Sequence, residues 1–361
     1  MNRKDRNMKN NLFYYATSEL SQDAFICWLV SFALPESKKD NKLKECAKDF
    51  ICLLNPDIDK GSLILERIEK QATVKKGSIV DILLTLTSNS KHYKIIIEDK
   101  IYAVPHDNQL VRYLKDVKEK YPEHIVKGAF YKTGFPGDLS SVRAVGYTII
   151  TREMMLKLME KYIKDTSNEI FKDYYCFWKQ FQEKSQEYKS LPINKWDWWQ
   201  LHGFYDYVHK SEFLKANKFG SNYSYVPNPS GGFLALWISD PSKSSKMTKE
   251  NIPYELYLQM ETAWNYQNDC YDIKICLKQG ITDTDKMKKQ NVKHGNMRDA
   301  VMYYSDGSSR IEKYNFVKPS RLGSGVHMTV GVYKSSYNDA ESLFDSIKNA
   351  VHDYIKILDE L

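Results

Sequence analysis

The sequence predicts an α/β (α+β) chain of two domains, and three observations carry that prediction. Two stretches of helical apolar spacing open the chain, and from about residue 62 the spacing becomes that of strands. Strand-like and helical stretches then follow one another up to about residue 187. In "KSLPINKWDWWQ" (189 to 200), Pro192 and a change of composition mark a joint. The domains are expected at 1–188 and 189–361, the second an α+β domain with an antiparallel sheet.

In "TSELSQDAFICWLVSFAL", Thr17, Ser18 and Ser21 are candidate N-caps, and Ala24, Phe25, Trp28, Leu29 and Phe32 fall at helical spacing. "NKLKECAKDFICLL" (41 to 54) repeats the period with a more polar outer face. Three strands are expected at 62–75, 78–87 and 91–101. Lys76-Gly77 and Ser88-Asn89-Ser90 join them in turns short enough for an antiparallel meander. A helix follows at "NQLVRYLKDVKEKY", then strands at "HIVKGAFYKTG" and "VRAVGYTII", then helices to about 187. Beyond the joint come a helix at about 196–215 and strands at "NYSYVP", "GGFLALWIS", "PYELYLQME" and "CYDIKICLK". A helix near 283–303, strands at "RIEKYNFV" and "VHMTVGVYK", and a final helix complete the chain.

Composition narrows the class. Apolar residues at 42% and charged residues at 27% are enough to build a core and argue against disorder. The six cysteines are scattered, with no CxxC pair and no zinc-ligand spacing, which fits a reducing compartment. The charged opening "MNRKDRNMKN" is followed by no apolar run of signal-peptide length, and no later stretch reaches the length of a membrane span, so the expectation is a cytoplasmic protein without a membrane partner. A formal net charge of +7 is compatible with a polyanion and equally with a mixed-charge surface.

The chemistry is concentrated in "KIIIEDKI" (94 to 101). Side chains two apart on a strand share a face, so Glu98 and Lys100 point one way and Asp99 the other. Asp81 interrupts the apolar run "IVDILLT" on the preceding strand, and a short hairpin can set it beside Glu98. Two carboxylates in a half-buried place repel unless a cation lies between them. Mg²⁺, with Mn²⁺ as its substitute, takes one or two protein carboxylates together with water and phosphate oxygens. Lys100 beside such an ion can position water and stabilise charge developing on a phosphate, the chemistry of a phosphodiester hydrolase. Taken alone, Glu98 and Lys100 also suit a partly buried ion pair. Asp99 reads as a solvent-facing or helix-supporting acid.

Asp81, followed after sixteen residues by Glu98-Asp99-Lys100, resembles the PD-(D/E)XK nuclease superfamily. The order helix, three-stranded meander, helix, strand from residue 18 to about 150 is similar to that family's restriction-endonuclease-like core, which implies a central mixed sheet flanked by helices. Glu19 matches the first-helix acid of many members, and Gln109, with Tyr113 one turn later, matches a second-helix glutamine. The pattern resembles a bacterial branch with a long C-terminal extension. Val80 stands where the family name has proline.

The resemblance implies catalytic roles for Glu19, Asp81, Glu98, Lys100 and Gln109, and metal ligation by Asp81, Glu98 and Glu19. Arg112, Tyr113 and His106 are candidate substrate contacts. The expected cofactor is Mg²⁺, and the expected partner is nucleic acid, DNA ahead of RNA, with a homodimer as a further assembly to test. The rival is a catalytically silent or partner-activated nucleic-acid-binding or interaction module of a defence or mobile-element system. The second domain would select substrate, partner or oligomeric state.

Overall fold

Ser18 starts the first helix, α1 (Glu19–Ser31), by accepting the Ser21 N–H, and Asp40 starts α2 (Asn41–Leu54) by accepting the Lys42 and Leu43 N–H groups. The computed structural model describes residues 10–361 apart from 38–39, 104, 106–107, 228–231 and 245–246. It divides into two units, Met1–Glu183 and Lys184–Leu361.

In the first unit, β1 (Ile64–Lys75), β2 (Ser78–Ser88) and β3 (Lys91–Lys100) form the antiparallel meander. Its turns place Gly77, Asn89 and Ser90 at positive φ. Then come α3 (Gln109–Lys120), β4 (Ile125–Lys132), α4 (Ser140–Ala144), β5 (Thr148–Thr151), α5 (Arg152–Glu160) and α6 (Glu169–Lys184). The sheet order is β1-β2-β3-β4-β5, with β4 parallel to both β3 and β5. This is the mixed restriction-endonuclease-like sheet.

The expected strand "VRAVGYTII" does not form over its whole length. Residues 140–144 are helical, and only the end of the stretch is strand. Parallel neighbours need a crossover, and this short helix supplies it. The Asp138 carboxylate accepts the Ser140 N–H at 2.8 Å, and Gly146 at φ +87° turns the chain toward β5.

Two cores lie on opposite faces of the sheet. One joins Phe25, Ile26 and Leu29 of α1 and helices α2, α5 and α6 to Ile82, Leu84, Ile95 and Ile97. The other joins Leu110, Tyr113 and Val117 of α3 to Leu83, Ile96 and Phe130.

The second unit begins its regular structure with α7 (Trp198–His209), α8 (Glu212–Ala216), β6 (Gly220–Val226), β7 (Phe233–Ser239), β8 (Met247–Lys249), β9 (Ile252–Asn265) and β10 (Cys270–Ile281). It continues with α9 (Thr284–Lys289), α10 (His294–Met302), α11 (Arg310–Lys313), β11 (Phe316–Val317), β12 (His327–Tyr333) and α12 (Ala340–Asp359). Its strands form an antiparallel sheet in the order β11-β12-β10-β9-β7-β6, with β8 paired to β9. The expected strand "RIEKYNFV" is mostly a helical turn, capped by Ser309 and ended by Asn315 at φ +60°, which leaves two residues to the sheet. The helix expected near 283–303 is two helices, separated where Asn291 takes φ +55°. Among the described residues no helix is long and apolar enough to cross a membrane.

Candidate active site

The β2–β3 ladder runs as far as the pair Ile82 and Ile97. One step further, Asp81 Oδ2 accepts the Asp99 N–H at 2.9 Å. The same register sets Asp81 opposite Glu98 and therefore on the same face of the sheet. Asp81 also lies where the β1–β2 ribbon changes faces. Ile82 and Leu84 pack into the α1 core, whereas Val80, also even-numbered, packs into the α3 core. Ile68 and Ala72 on β1 divide in the same way. An acid at this crossing stays partly exposed inside an otherwise apolar strand.

Lys100 Nζ donates to Glu98 Oε1 at 2.6 Å and to the Asp99 carbonyl at 2.8 Å, and it lies 3.6 Å from Asp81 Oδ2 and 3.7 Å from Glu19 Oε2. Glu98 is wholly buried, and its Oε2 has no hydrogen-bond partner. Burial first, and the Asp81 charge second, push the Glu98 carboxyl up to about 7 against the pull of Lys100. Burial disfavours the Lys100 ammonium, but the charge and hydrogen bond of Glu98, with Asp81 and Glu19, hold its pKa above the ordinary lysine value.

Glu19, the first residue of α1, accepts the Ile101 N–H at 3.0 Å and so ties that helix to the end of β3. One turn later α1 contributes Gln22 and Asp23, which sequence reasoning did not single out. Gln22 donates to Asp99 and accepts from Thr133 Oγ1 at 2.8 Å. Asp99 is therefore not solvent-facing: it is wholly buried, supports α1, and burial holds its carboxyl far above the usual range. Asp23 is also buried, and burial followed by the Asp81 charge raises it to about 6. The signal for both residues was their i+3 and i+4 spacing from Glu19.

At the start of α3, Gln109 Nε2 donates to Glu98 Oε1 at 2.9 Å and to Tyr113 OH at 3.0 Å. Tyr113 is buried, whereas Arg112 faces solvent with its guanidinium 5.5 Å from the Tyr113 ring centre. Asp116 is buried too, 3.9 Å from Lys75. His106 lies outside the described residues. Lys132, buried beside Lys100 in the β3–β4 register, donates to the Ala103 carbonyl at 2.6 Å, and burial lowers it to about 8. It escaped sequence reasoning because a lysine at a strand end usually reaches water.

Among the described residues no group of three or more His, Cys, Asp or Glu side chains is arranged to hold a metal ion. The donor set nevertheless fits a hard divalent cation. Asp81 and Glu98 would supply the one or two carboxylates that Mg²⁺ usually takes from a protein. The buried, unpartnered Glu98 Oε2 is an oxygen without a donor, and the Lys100 ammonium shows that positive charge is accepted between the acids.

Residues 10–177 match the family model of the PD-(D/E)XK nuclease superfamily. Comparison with curated proteins and with solved structures gives no match. The matched segment carries Asp81, Glu98 and Lys100 on its central sheet, and over that segment the chain is similar to the PD-(D/E)XK nuclease superfamily.

Proposed function

We propose that this chain is a metal-dependent nuclease that hydrolyses phosphodiester bonds of nucleic acid, with DNA ahead of RNA as substrate. The observation that carries this reading is the Lys100 ammonium, 2.6 Å from Glu98 Oε1 and 3.6 Å from Asp81 Oδ2, beside a Glu98 oxygen that is buried without a partner. Asp81 and Glu98 would hold Mg²⁺ or Mn²⁺, with Glu19 as a further ligand or an orienter of water. The bound ion would supply Lewis-acid stabilisation of charge on the phosphate.

Lys100 positions the attacking water and, as a fixed ammonium, opposes the negative charge that grows on the phosphate oxygens. Gln109 holds Glu98 Oε1 from the α3 side, and Tyr113 holds the Gln109 amide. Arg112, exposed on α3, would line the approach of the nucleic-acid backbone, and the buried Tyr113 would act through Gln109. The second unit is proposed to select substrate, partner or oligomeric state.

The test is incubation of the full chain with supercoiled plasmid, linear duplex, single-stranded DNA and RNA, each with Mg²⁺, Mn²⁺ or chelator. Cleavage that needs the ion and is strongest on DNA is the expected result. Nucleic-acid binding without cleavage in every arm would favour the binding-module reading instead.

A further inference from the structure

Gln71 has an unusual backbone for its place. It lies inside β1, between the ladder pairs Lys70–Ile82 and Ala72–Val80, and so opposite Asp81. Yet its φ is +50°, in the left-handed region that a side chain with a Cβ rarely adopts. It stands where the β1–β2 ribbon changes faces. Strain of this kind persists only where surrounding contacts hold it, and it concentrates at functional sites.

Its side chain meets two acids. Gln71 Nε2 donates to Asp81 Oδ1 at 3.3 Å and to Asp23 Oδ2 at 3.2 Å. Asp81 Oδ2 accepts the Asp99 N–H at 2.9 Å. Both Asp81 oxygens are thus held, one by β3 and one by Gln71. Asp23, buried on α1 and carrying an Oδ1 with no partner, anchors the other side of the amide. A neutral amide is suited to this place. It offers one proton to each acid, where a carboxylate would add repulsion and an ammonium would compete with Lys100.

We propose that Gln71 is a positioning residue for the metal site: its carboxamide, anchored on Asp23, orients the Asp81 carboxylate toward the divalent cation. The assignment rests on the nuclease reading above. It makes α1 a support for the site through Asp23 as well as through Glu19.

The experiment compares wild type with Gln71→Gly, Gln71→Asn and Asn89→Gly by Mn²⁺ calorimetry, thermal melting, and cleavage rate against Mg²⁺ concentration. Glycine takes positive φ freely and asparagine tolerates it, so both variants keep the backbone. Asparagine is one methylene too short to span the two acids. Asn89, at φ +49° in the β2–β3 turn, is the control for a left-handed residue away from the acids.

Both Gln71 variants are expected to bind Mn²⁺ about tenfold or more weakly, as removal of a ligand's hydrogen-bond partner does. Their melting temperatures should not fall, and cleavage should approach the wild-type rate at saturating Mg²⁺. Asn89→Gly should retain wild-type affinity. Wild-type Mn²⁺ affinity in both Gln71 variants would overturn the proposal, as would an affinity loss that appears only with a matching loss of melting temperature. If wild type itself neither binds Mn²⁺ nor cuts, the nuclease reading has failed, a result distinct from equal binding by wild type and variants.

Discussion

Lys100 Nζ lies 2.6 Å from Glu98 Oε1, two residues along the same face of β3, and its charge is shared with Asp81 and Glu19 at 3.6 and 3.7 Å. An ammonium so placed competes with a divalent cation for the same oxygens, while its proposed task lies in the transition state. Lys100→Met should therefore slow cleavage by about 10²–10³-fold and bind Mn²⁺ no more weakly than wild type. Calorimetry and single-turnover rates measure the two effects separately. A loss of metal affinity as large as the loss of rate would remove Lys100 from the chemical step.

The raised pKa of Glu98, about 7 against an ordinary 4.5, has a stability consequence. A carboxyl raised on folding holds a proton that the unfolded chain releases. Its contribution is fully present below about 4.5 and is lost as pH rises through about 7. Glu98→Gln carries no charge at either pH, so in chelator it should melt about 2 °C or more above wild type at pH 8. It should gain less at pH 5. Equal gains at both pH values would mean that the carboxylate is not destabilised by its surroundings.

Gln109 donates to both Glu98 and Tyr113, which makes it the link between α3 and the acids. Gln109→Ala should lower the cleavage rate about 10- to 100-fold, whereas Tyr113→Phe, which spares the Gln109–Glu98 bond, should cost less. Rates at saturating Mg²⁺ provide the check, and a larger effect from Tyr113→Phe would reverse the order of support.

The fold of the first unit was largely legible because its signals were local. Period-two runs bounded by Lys76-Gly77 and Ser88-Asn89-Ser90 define the meander, and Asp81 and Glu98 were visible as costly acids in apolar strands. The short crossover at 140–144 was not legible, since Val142, Ala144 and Val145 read equally well as strand. Asp99 reads as solvent-facing or helix-supporting, and the sequence does not decide between the two because nothing local shows that Gln22, seventy-seven positions away, covers it. Gln71 was invisible for a related reason: the acids that its amide meets are brought in from α1 and β2.

Asp99 also supplies a contrast with its neighbours. Its carboxylate faces α1 through Gln22, and it is not among the proposed metal ligands. Asp99→Asn retains an oxygen for Gln22 and removes the ionisable buried group. Mn²⁺ affinity should stay within about twofold of wild type, and the melting temperature in chelator at pH 8 should be equal or higher. A tenfold loss of Mn²⁺ affinity would place Asp99 among the ligands.

Asp81 and Glu98 are proposed together to hold the ion with which the chain cuts nucleic acid. The most direct measurement is single-turnover cleavage of a linear DNA duplex in Mg²⁺ by wild type, Asp81→Asn and Glu98→Gln, with circular dichroism confirming that all three are folded. Ion-dependent cleavage by wild type and a loss of about 10²-fold or more in each variant are expected. Wild-type cleavage that persists in chelator, or folded variants that cut at the wild-type rate, would contradict this role for Asp81 and Glu98.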